Sequence, residues 1–329
     1  MKAIICTKYG PPETLQLREV DKPAPKDNEA LVRVHSASVS SWDWDLLRGV
    51  PFANRIGGFF KPKHKILGAD IAGRVEGTGS RVGRLKPGDE VFGDISGSGW
   101  GGFAEYVCAP EDLLALKHRG MTFEQAAAMP QAGVLALQGL RYGGRLHSGQ
   151  QVLINGAGGG VGTFAVQIAK SFGAEVTGVD RTEKLEMLLA IGADQVIDYT
   201  REDFTRSGRR YDLILDVVAN RSVADYRQAL SPKGVFVMIG GSTSAFFQTV
   251  IMGAWITATA QNKMGVLLHK PNPSDLVLLN ELFESEKLVP VIDRCYSLSA
   301  VPEAFRYFGE GHVQGKIVIS VDQGSRGEV

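Results

Sequence analysis

A glycine-rich turn between two apolar segments constrains the fold of this chain more than any other feature. A short, partly β-branched run at 152–155 leads into the turn at 156–162, and apolar residues with helical spacing follow. Strand, turn and helix in this order predict a βα unit whose helix points its free N–H groups at a bound pyrophosphate. The spacing that fits the dinucleotide fingerprint is Ala157-x-Gly159-x-x-Gly162, with alanine in place of the first glycine.

The residues that follow continue the same alternation. The sequence predicts strands at 174–179, 195–199, 212–218 and 235–239 and helices at 183–191 and 222–230. The second strand ends at Asp180, roughly 20 residues after Gly159, where a dinucleotide fold carries its ribose-binding acid. This rhythm predicts a doubly wound parallel sheet of the Rossmann type. The alternative is a turn that only packs helix on strand; the glycines, the order of elements and Asp180 together favour cofactor binding.

Length and composition set the remaining bounds. The 329 residues predict two domains, and 36 basic against 36 acidic residues give no reason to expect nucleic acid or anionic lipid as a partner. Cys6, Cys108 and Cys295 are far apart, as in proteins of reducing compartments. The chain starts directly with a strand pattern, and the apolar stretch at 245–260 is too short for a membrane span. We therefore expect a soluble, cytoplasmic protein.

The first 120 residues have a different texture. Short strand candidates at 3–7, 30–38, 70–76, 90–93 and 104–108 alternate with Pro- and Gly-rich turns, which predicts a mostly antiparallel β domain with little helix. After the Rossmann pattern come a helix at 273–287, an extended segment at 289–296, a helix at 301–308 and a strand at 315–321. We expect this tail to rejoin the first domain. The predicted domains are 1–120 with 264–329, and 121–263.

Several segments carry a resemblance to a known family. They are Ser36-Ala37-Ser38-Val39, Ile66-Leu67-Gly68-Ala69-Asp70-Ile71-Ala72-Gly73, Leu85-Lys86-Pro87-Gly88-Asp89-Glu90-Val91, Gly102-Phe103-Ala104-Glu105-Tyr106-Val107, the glycine turn, and Gly315-Lys316-Ile317-Val318. Over almost its whole length the chain resembles the zinc-independent medium-chain dehydrogenases/reductases of the quinone oxidoreductase type. The resemblance implies an α/β protein with a GroES-like, mostly β domain beside a Rossmann domain. It also implies a nicotinamide and substrate cleft between them, and a homodimer formed through the edge of the Rossmann sheet.

The resemblance also implies that no zinc is bound. Related zinc enzymes place a cysteine ligand in the segment matching 39–44 and a His-Glu pair where this chain has Ala69-Asp70. Neither is present, the segment 94–102 has no cysteine, and the six histidines show no ligand spacing. Without a Lewis acid to stabilise an alkoxide, hydride transfer to a quinone or an α,β-unsaturated carbonyl is the easier reaction. Two alternatives stay open: a zinc-free alcohol or aldehyde oxidoreductase, and a nucleotide-sensing or structural protein without turnover.

Candidate substrate-site residues follow from positions that match the family. Ser40 stands where the family often has asparagine, so Ser40 and Ser41 are candidate donors to the substrate oxygen, with solvent water as the alternative. The family often has a tyrosine near this loop, where this chain has Trp42, Trp44 and Phe52. These aromatic side chains either line the substrate cleft or pack the loop against the β domain.

Candidate cofactor residues surround the turn. The residues expected at the pyrophosphate are Gly156, Ala157, Gly159, Gly160, Val161 and Gly162. Asp180 favours NADH, whereas the cations Arg181 and Lys184 favour the 2′-phosphate of NADPH unless they only solvate the start of a helix. We expect NADPH, with NADH tolerated. By resemblance, Tyr199 lies along the adenine, and Gly240 and Gly241 lie near the nicotinamide ribose.

Overall fold

The computed structural model describes residues 1–55, 58–144 and 146–321, and the chain divides into two compact units. The β unit comprises Met1–Ala132, Pro271–Ser285 and the described residues from Val289 onward. The α/β unit comprises Gly133–Lys270 and Glu286–Leu288.

The strands run as follows in chain order. They are β1 (Lys2–Cys6), β2 (Leu15–Glu19), β3 (Glu29–Val39), β4 (Asp70–Thr78), β5 (Glu90–Asp94), β6 (Tyr106–Pro110), β7 (Leu114–Leu116), β8 (Gln151–Asn155), β9 (Glu175–Asp180), β10 (Gln195–Asp198), β11 (Tyr211–Asp216), β12 (Leu230–Met238), β13 (Lys263–Val266), β14 (Ile292–Ser297) and β15 (Lys316–Ser320).

The α-helices are interspersed among these strands. They are α1 (Ser41–Arg48), α2 (Phe123–Ala128), α3 (Pro130–Leu140), α4 (Gly160–Ser171), α5 (Leu185–Ala190), α6 (Val223–Gln228), α7 (Thr243–Gln248), α8 (Ala254–Thr259), α9 (Pro273–Glu284) and α10 (Val301–Gly309). A π-helical turn at Thr249–Gly253 joins α7 to α8. Among the described residues, no helix combines the length and apolar character needed to cross a membrane.

The β unit is built around the long strand β3. Its sheet has the order β14-β15-β3-β4-β5-β7, β6 also pairs with β3, and all pairs except β14-β15 are antiparallel. Strands β1 and β2 form a separate two-stranded sheet. Because β15 pairs with β3 (Ile317 opposite Val39), the end of the chain completes the sheet that its beginning starts. Side chains such as Ile71, Val91 and Phe305 fill the core.

The α/β unit contains the predicted parallel sheet. Its six strands have the order β10-β9-β8-β11-β12-β13, and every neighbouring pair is parallel. Strands β8 and β11 lie at the centre, which explains why residues 152–154 and 213–215 are apolar without a break. Together the two units confirm the predicted fold class, a GroES-like β domain and a Rossmann domain.

The observed boundaries differ from the predicted ones at both ends of the Rossmann segment. Strand β13 extends to Val266 and pairs in parallel with β12, so residues 264–266 belong to the Rossmann sheet and not to the β domain. At the other end, α2 packs on β3 and β4, which keeps residues up to Ala132 in the β unit. Pairing across a sheet edge and packing of a short helix are tertiary contacts, which local pattern does not reveal. The helix predicted to reach residue 287 ends at Glu284.

Candidate cofactor and substrate sites

The glycine turn follows directly from β8 and is anchored to the neighbouring strand β9. Gly156 has φ +79°, a left-handed conformation that glycine adopts without strain, and its N–H donates to the Val179 carbonyl at 3.0 Å. The Ala157 N–H donates to the same carbonyl at 3.1 Å. Gly159 is the N-cap of α4 and has no side chain to cap the first N–H groups of the helix. The turn therefore presents an uncapped helix N-terminus, the element that binds phosphate in dinucleotide folds.

The glycines of this turn are required for different reasons. A Cβ atom on Gly162 would lie 2.3 Å from the Gly156 carbonyl oxygen, so any side chain there displaces backbone. A Cβ on Gly159 would meet only that same oxygen, at 3.6 Å, an ordinary contact. Gly162 thus serves the packing of helix on turn, whereas the space beside Gly159 is open.

Gly158 was missed as a site residue. A Cβ there would lie 2.6 Å from Lys184 Cδ and 3.0 Å from Asp180 Oδ2. The absence of a side chain therefore lets two charged side chains approach the turn. The sequence indicated Gly158 only by its position between the two fingerprint residues Ala157 and Gly159.

Asp180 is at the end of β9, as predicted, and its carboxylate faces the turn. It is buried, its Oδ2 accepts from the Gly158 N–H at 2.8 Å, and its Oδ1 accepts from the Arg181 N–H at 2.9 Å. Lys184, also buried, places its Nζ 3.9 Å from Oδ1. Lys184 is thus part of a buried ion pair that holds the turn, rather than a solvated start of a helix.

Arg181 and Tyr199 form a second pair at the more exposed side of the same strand ends. The Arg181 Nη2 donates to the Tyr199 hydroxyl at 3.2 Å, and the Tyr199 side chain is 43% exposed. The backbone joins them too, because the Tyr199 N–H donates to the Asp180 carbonyl at 3.2 Å. The structure therefore brings Asp180, Arg181, Lys184 and Tyr199 together beside the glycine turn.

Gly240 and Gly241 lie against the loop that follows β11. A Cβ on Gly240 would be 2.5 Å from the Val217 carbonyl oxygen, and one on Gly241 would be 2.3 Å from the Ala219 carbonyl oxygen. Close approach of two backbones thus accounts for both glycines. Their predicted role at the nicotinamide ribose stays a prediction.

Ser40 caps the helix α1 in the β unit. Its Oγ accepts from the Asp43 N–H at 3.3 Å, and Asp43 Oδ2 accepts from the Ser40 N–H at 3.0 Å, which is a capping box. The Ser40 hydroxyl also donates to Asp43 Oδ2, at 2.8 Å. Asp43 also accepts from the Gly68 N–H at 2.9 Å, and burial raises the pKa of its carboxyl to about 6. The Ser40 hydroxyl proton is therefore committed to Asp43, while Ser41 is exposed at the first position of the helix.

Trp42, Trp44 and Phe52 lie in three different environments. The segment is a helix and not a loop, so Trp42 and Trp44, two residues apart, point to different faces. Trp44 is partly buried and packs on Phe305 at the core of the β unit, with ring centroids 6.3 Å apart. Phe52 is 66% exposed and contacts Phe59. Trp42 lines a cavity.

This cavity lies within the β unit and has a volume of about 180 Å³. Trp42, Leu46 and Leu67 line it together with three aromatic side chains that sequence reasoning missed: Tyr9, His64 and Trp100. These residues come from separate segments of the chain, and no spacing rule connects them. Asn54, Pro62 and Lys63 complete the lining, and we name this space the aromatic cavity.

Comparison with known proteins places the chain in a family. The model for the alcohol dehydrogenase GroES-like domain matches residues 26–119, and the model for zinc-binding dehydrogenase matches residues 191–319. The chain is 35% identical to 2-methylene-furan-3-one reductase of Solanum lycopersicum, over 97% of this chain and 79% of that protein. It is 32% identical to the chloroplastic NADPH-dependent alkenal/one oxidoreductase of Arabidopsis thaliana, with the same coverage.

A solved structure agrees over the full length. The quinone oxidoreductase from Coxiella burnetii superposes with a TM-score of 0.87 and 31% identity, over 98% of this chain and 99% of that one. The chain belongs to the quinone oxidoreductase group of the medium-chain dehydrogenases/reductases.

Zinc enzymes of the superfamily have a His-Glu pair where this chain has Ala69 and Asp70. Here Asp70 forms a buried ion pair instead. Asp70 is fully buried; its Oδ2 accepts from Ser38 Oγ at 3.0 Å and from Lys316 Nζ at 3.2 Å. Its Oδ1 accepts from the Gln131 N–H at 2.9 Å. Both oxygens of Asp70 are therefore engaged within the protein. Among the described residues, no three His, Cys, Asp or Glu side chains are grouped to hold a metal ion.

A polar pair at the carboxyl ends of the central Rossmann strands was also missed. Asn155 ends β8 and Asp216 ends β11, and Asn155 Nδ2 donates to Asp216 Oδ1 at 3.0 Å. The Val218 N–H donates to the same oxygen at 3.0 Å, and burial raises the pKa of Asp216 to about 6. The available signal was the rule that neighbouring parallel strands bring their carboxyl ends to one edge, where ligands bind.

Proposed function

We propose that this protein uses NADPH to reduce a quinone or an α,β-unsaturated carbonyl compound, without zinc. The observation that carries the proposal is the uncapped N-terminus of α4 at Gly159, with Asp180, Lys184 and Arg181 beside it, in a member of this family. The names of two relatives, an alkenal/one oxidoreductase and a furanone reductase, support a conjugated acceptor. When bound, the dihydronicotinamide supplies a hydride.

The residues of the turn would bind the cofactor by its phosphates. The first-turn N–H groups at Gly160, Val161 and Gly162 supply hydrogen bonds and the positive end of the helix dipole to the pyrophosphate. The open space beside Gly159 lets the phosphates approach the backbone. Asp180 and Lys184 hold the turn in this shape.

A preference for NADPH over NADH follows from the charges at the end of β9. Both oxygens of Asp180 accept backbone hydrogen bonds, and Lys184 neutralises its charge, which reduces its repulsion of a 2′-phosphate. Arg181 then supplies a guanidinium group for that phosphate. The name of the NADPH-dependent Arabidopsis relative supports the same choice.

Steady-state kinetics test both proposals together. Oxidation of NADPH and of NADH is followed with naphthoquinone, cyclohexenone and a short enal, and alcohols are tested with NADP⁺ and NAD⁺. We expect turnover of at least one quinone or enone, with NADPH preferred. Alcohol oxidation alone would indicate the zinc-free alcohol oxidoreductase, and tight cofactor binding without any turnover would indicate the sensing or structural protein.

One pair of variants assigns the preference to its residue. Arg181→Ala should raise KM for NADPH about tenfold, the effect of losing one charge-assisted hydrogen bond, and leave KM for NADH within twofold. Arg227→Ala, an exposed arginine on α6, is the matched control and should change neither. If Arg181→Ala raised KM equally for both cofactors, Arg181 would not recognise the 2′-phosphate.

Independence of zinc rests on the donor set at Asp70. A carboxylate that already accepts from Lys316, Ser38 and Gln131 has no free oxygen for a metal ion. With the ligand cysteine and histidine of the zinc enzymes also missing from their positions, the residues do not fit a catalytic zinc ion. The protein is treated with a chelator, and its zinc content and turnover are measured before and after. Unchanged turnover would support this proposal, whereas activity that is lost and then restored by added zinc would overturn it.

A homodimer is the assembly we propose. Strand β13 is the edge of the parallel sheet, and the helical segment α7–α8 beside it exposes large apolar side chains. These include Phe247, Ile251 and Trp255, which are 57%, 69% and 63% exposed. A second copy of the chain covering this face would remove it from water.

Sedimentation tests the dimer. The wild-type protein should sediment as a dimer at micromolar concentration, and Trp255→Lys should shift it to monomer. Leu189→Lys, at an exposed leucine on α5, is the matched control and should remain dimeric. A monomeric wild type would overturn the proposal.

We propose a cytoplasmic location and no nucleic-acid or membrane partner. All three cysteines are free thiols, which supports a reducing compartment such as the cytoplasm. The zero net charge supports neither nucleic acid nor a membrane surface as a partner. Cell fractionation of the tagged protein checks the location.

A further inference from the structure

The strand order of the parallel sheet reverses between β8 and β11. From β8 the chain continues outward to β9 and β10 on one side, and then returns to build β11, β12 and β13 on the other. In doubly wound sheets, a dinucleotide binds across the carboxyl ends of the strands at such a point, with one mononucleotide on each side. Asp180 and Arg181 follow β9, so the nicotinamide-bearing half of the proposed cofactor would lie on the β11 side.

The glycine turn has anchors of its own on the β9 side. The N–H groups of Gly156 and Ala157 donate to the Val179 carbonyl at 3.0 and 3.1 Å, and the Gly158 N–H donates to Asp180 Oδ2 at 2.8 Å. All three acceptors belong to β9. A change at the end of β11 therefore leaves these hydrogen bonds in place.

Asp216 joins the loop that follows β11, residues 217–221, to the residue before the glycine turn. Its Oδ1 accepts from the Val218 N–H and from Asn155 Nδ2, each at 3.0 Å. Val218 lies against Gly156, since a Cβ at position 156 would be 3.1 Å from Val218 Cγ2. Because Asp216 is fully buried, water has no access to replace it as an acceptor. One carboxylate oxygen thus sets the position of the loop relative to the turn.

Tyr226 holds the other end of the same loop. Its hydroxyl accepts from the N–H groups of Asn220 and Arg221, both at 3.3 Å. Its ring is buried and stacks on Phe236, with centroids 4.3 Å apart. Burial raises the pKa of Asp216, and the Tyr226 hydroxyl beside it acts in the opposite direction. Two buried side chains that lie close together therefore fix the loop at both ends.

The residues between these anchors are available to a ligand. Val218 is 49% exposed, and Asn220 is exposed as well. The Ala219 N–H donates to the Gly240 carbonyl at 3.0 Å, which joins this loop to the one that follows β12. A loop held in this way can bind a ligand without first having to be ordered, which favours affinity.

We propose that Asp216 is a positioning residue for the cofactor, which holds the loop at 217–221 where it binds the nicotinamide-bearing half. This inference rests on the proposed function and deepens it. Asp216 is buried beneath the loop and acts through the backbone N–H of Val218. Since the turn keeps its anchors on β9, loss of Asp216 should weaken binding of only one half of the cofactor.

Calorimetric titrations without an acceptor substrate test the proposal. The ligands are NADPH, NADH and adenosine 2′,5′-bisphosphate, which is the adenosine half of NADPH. In Asp216→Leu, which removes the shared acceptor, Kd should rise about tenfold for both NADPH and NADH, the effect of one lost hydrogen bond. Kd for the bisphosphate should stay within twofold. The titrations are made at pH 8, above the pKa of Asp216 of about 6.

Two control variants separate positioning from loss of stability. Asp216→Asn keeps an oxygen that can accept from both donors, and should bind all three ligands within threefold of the wild type. Leu213→Ala, at a buried position nearer the start of β11, should lower the unfolding temperature without changing any Kd. If Asp216→Leu does not fold, Tyr226→Phe, which frees the N–H groups of Asn220 and Arg221, should show the same division between ligands.

Several outcomes would overturn the proposal: an unchanged Kd for NADPH in folded Asp216→Leu, equal weakening of NADPH and the bisphosphate, or an equal loss in Asp216→Asn. The same division in Leu213→Ala would also overturn it, because stability alone would then explain the effect. Any of these results beside wild-type turnover with NADPH removes Asp216 alone. A wild-type protein that binds neither NADPH nor NADH overturns the proposed function and this inference with it.

Discussion

The glycine turn of the α/β unit and the aromatic cavity of the β unit are built by opposite means. The turn is made by backbone within one short segment, where Gly156 and Gly162 permit a conformation that other residues would obstruct. The cavity is made by side chains from four separate segments, which carry Tyr9, Trp42, His64 and Trp100. A site made by the backbone of one segment can be predicted from the spacing of its residues. A site assembled from side chains of distant segments cannot.

The largest expected effect tests whether the backbone of the glycine turn binds the cofactor. In Gly162→Val, the Cβ would lie 2.3 Å from the Gly156 carbonyl oxygen, so turn and helix must separate. We expect NADPH affinity, measured by calorimetry, to fall more than about 100-fold, which is roughly 2.7 kcal/mol.

The matched control is Gly159→Ala, whose Cβ would have only a 3.6 Å neighbour. It should unfold at the wild-type temperature and yet bind NADPH more weakly, because the methyl group takes space meant for phosphate. Wild-type affinity in Gly162→Val would show that the turn is not the binding element.

The second effect tests the side-chain network of the β unit. Lys316→Met leaves the buried Asp70 carboxylate without its cation, so the free energy of unfolding should fall by about 3–5 kcal/mol. Denaturant titration measures it. The double variant Asp70→Asn/Lys316→Met removes both charges and should recover most of the loss; no recovery would mean that packing, rather than charge, dominates at this site.

The third effect separates the two faces of α1. Trp44→Ala removes a ring packed on Phe305 and Phe308, and should lower the free energy of unfolding by roughly 2–4 kcal/mol. Trp42→Ala, on the cavity side, should lower it by about 1 kcal/mol or less. Equal losses would contradict the assignment of Trp44 to the core and Trp42 to the cavity.

The smallest effect concerns a side chain beside the turn. Asp216 has its pKa raised by burial to about 6, so between pH 4 and pH 6 the folded protein binds more protons than the unfolded chain. The free energy of unfolding therefore decreases as pH rises through this window. Asp216→Asn should remove about 2 kcal/mol of that decrease, since each pKa unit corresponds to about 1.4 kcal/mol. Parallel pH profiles for variant and wild type would show that Asp216 titrates normally.

Most of the fold could be predicted from the sequence, because both units follow local rules. The glycine turn, the apolar strands and the caps identify the Rossmann sheet, and the turn-rich first segment identifies the β domain. The assignment of residues 264–266 failed because β13 is defined by its pairing with β12, which no local pattern shows.

The site was predictable only in part. Asp180 and Lys184 follow from their distance to the turn, but the burial of Lys184 against Asp180 depends on Gly158, and thus on a contact across two segments. Of the two alternatives for Trp44, packing against the β domain is the one seen, and the helical form of α1 could have been expected from the capping-box spacing of Ser40 and Asp43. Trp100 carries no sequence signal beyond its glycine neighbours.

The two tryptophans of α1 also have a consequence for which positions can vary. One short helix faces the core through Trp44 and the aromatic cavity through Trp42, and Trp42 meets Trp100 across that cavity. Substitutions at positions 42 and 100 should therefore change the lining of the cavity, whereas substitutions at position 44 should disturb the core. Among variants selected only for folding, we expect more accepted changes at the two cavity positions than at position 44.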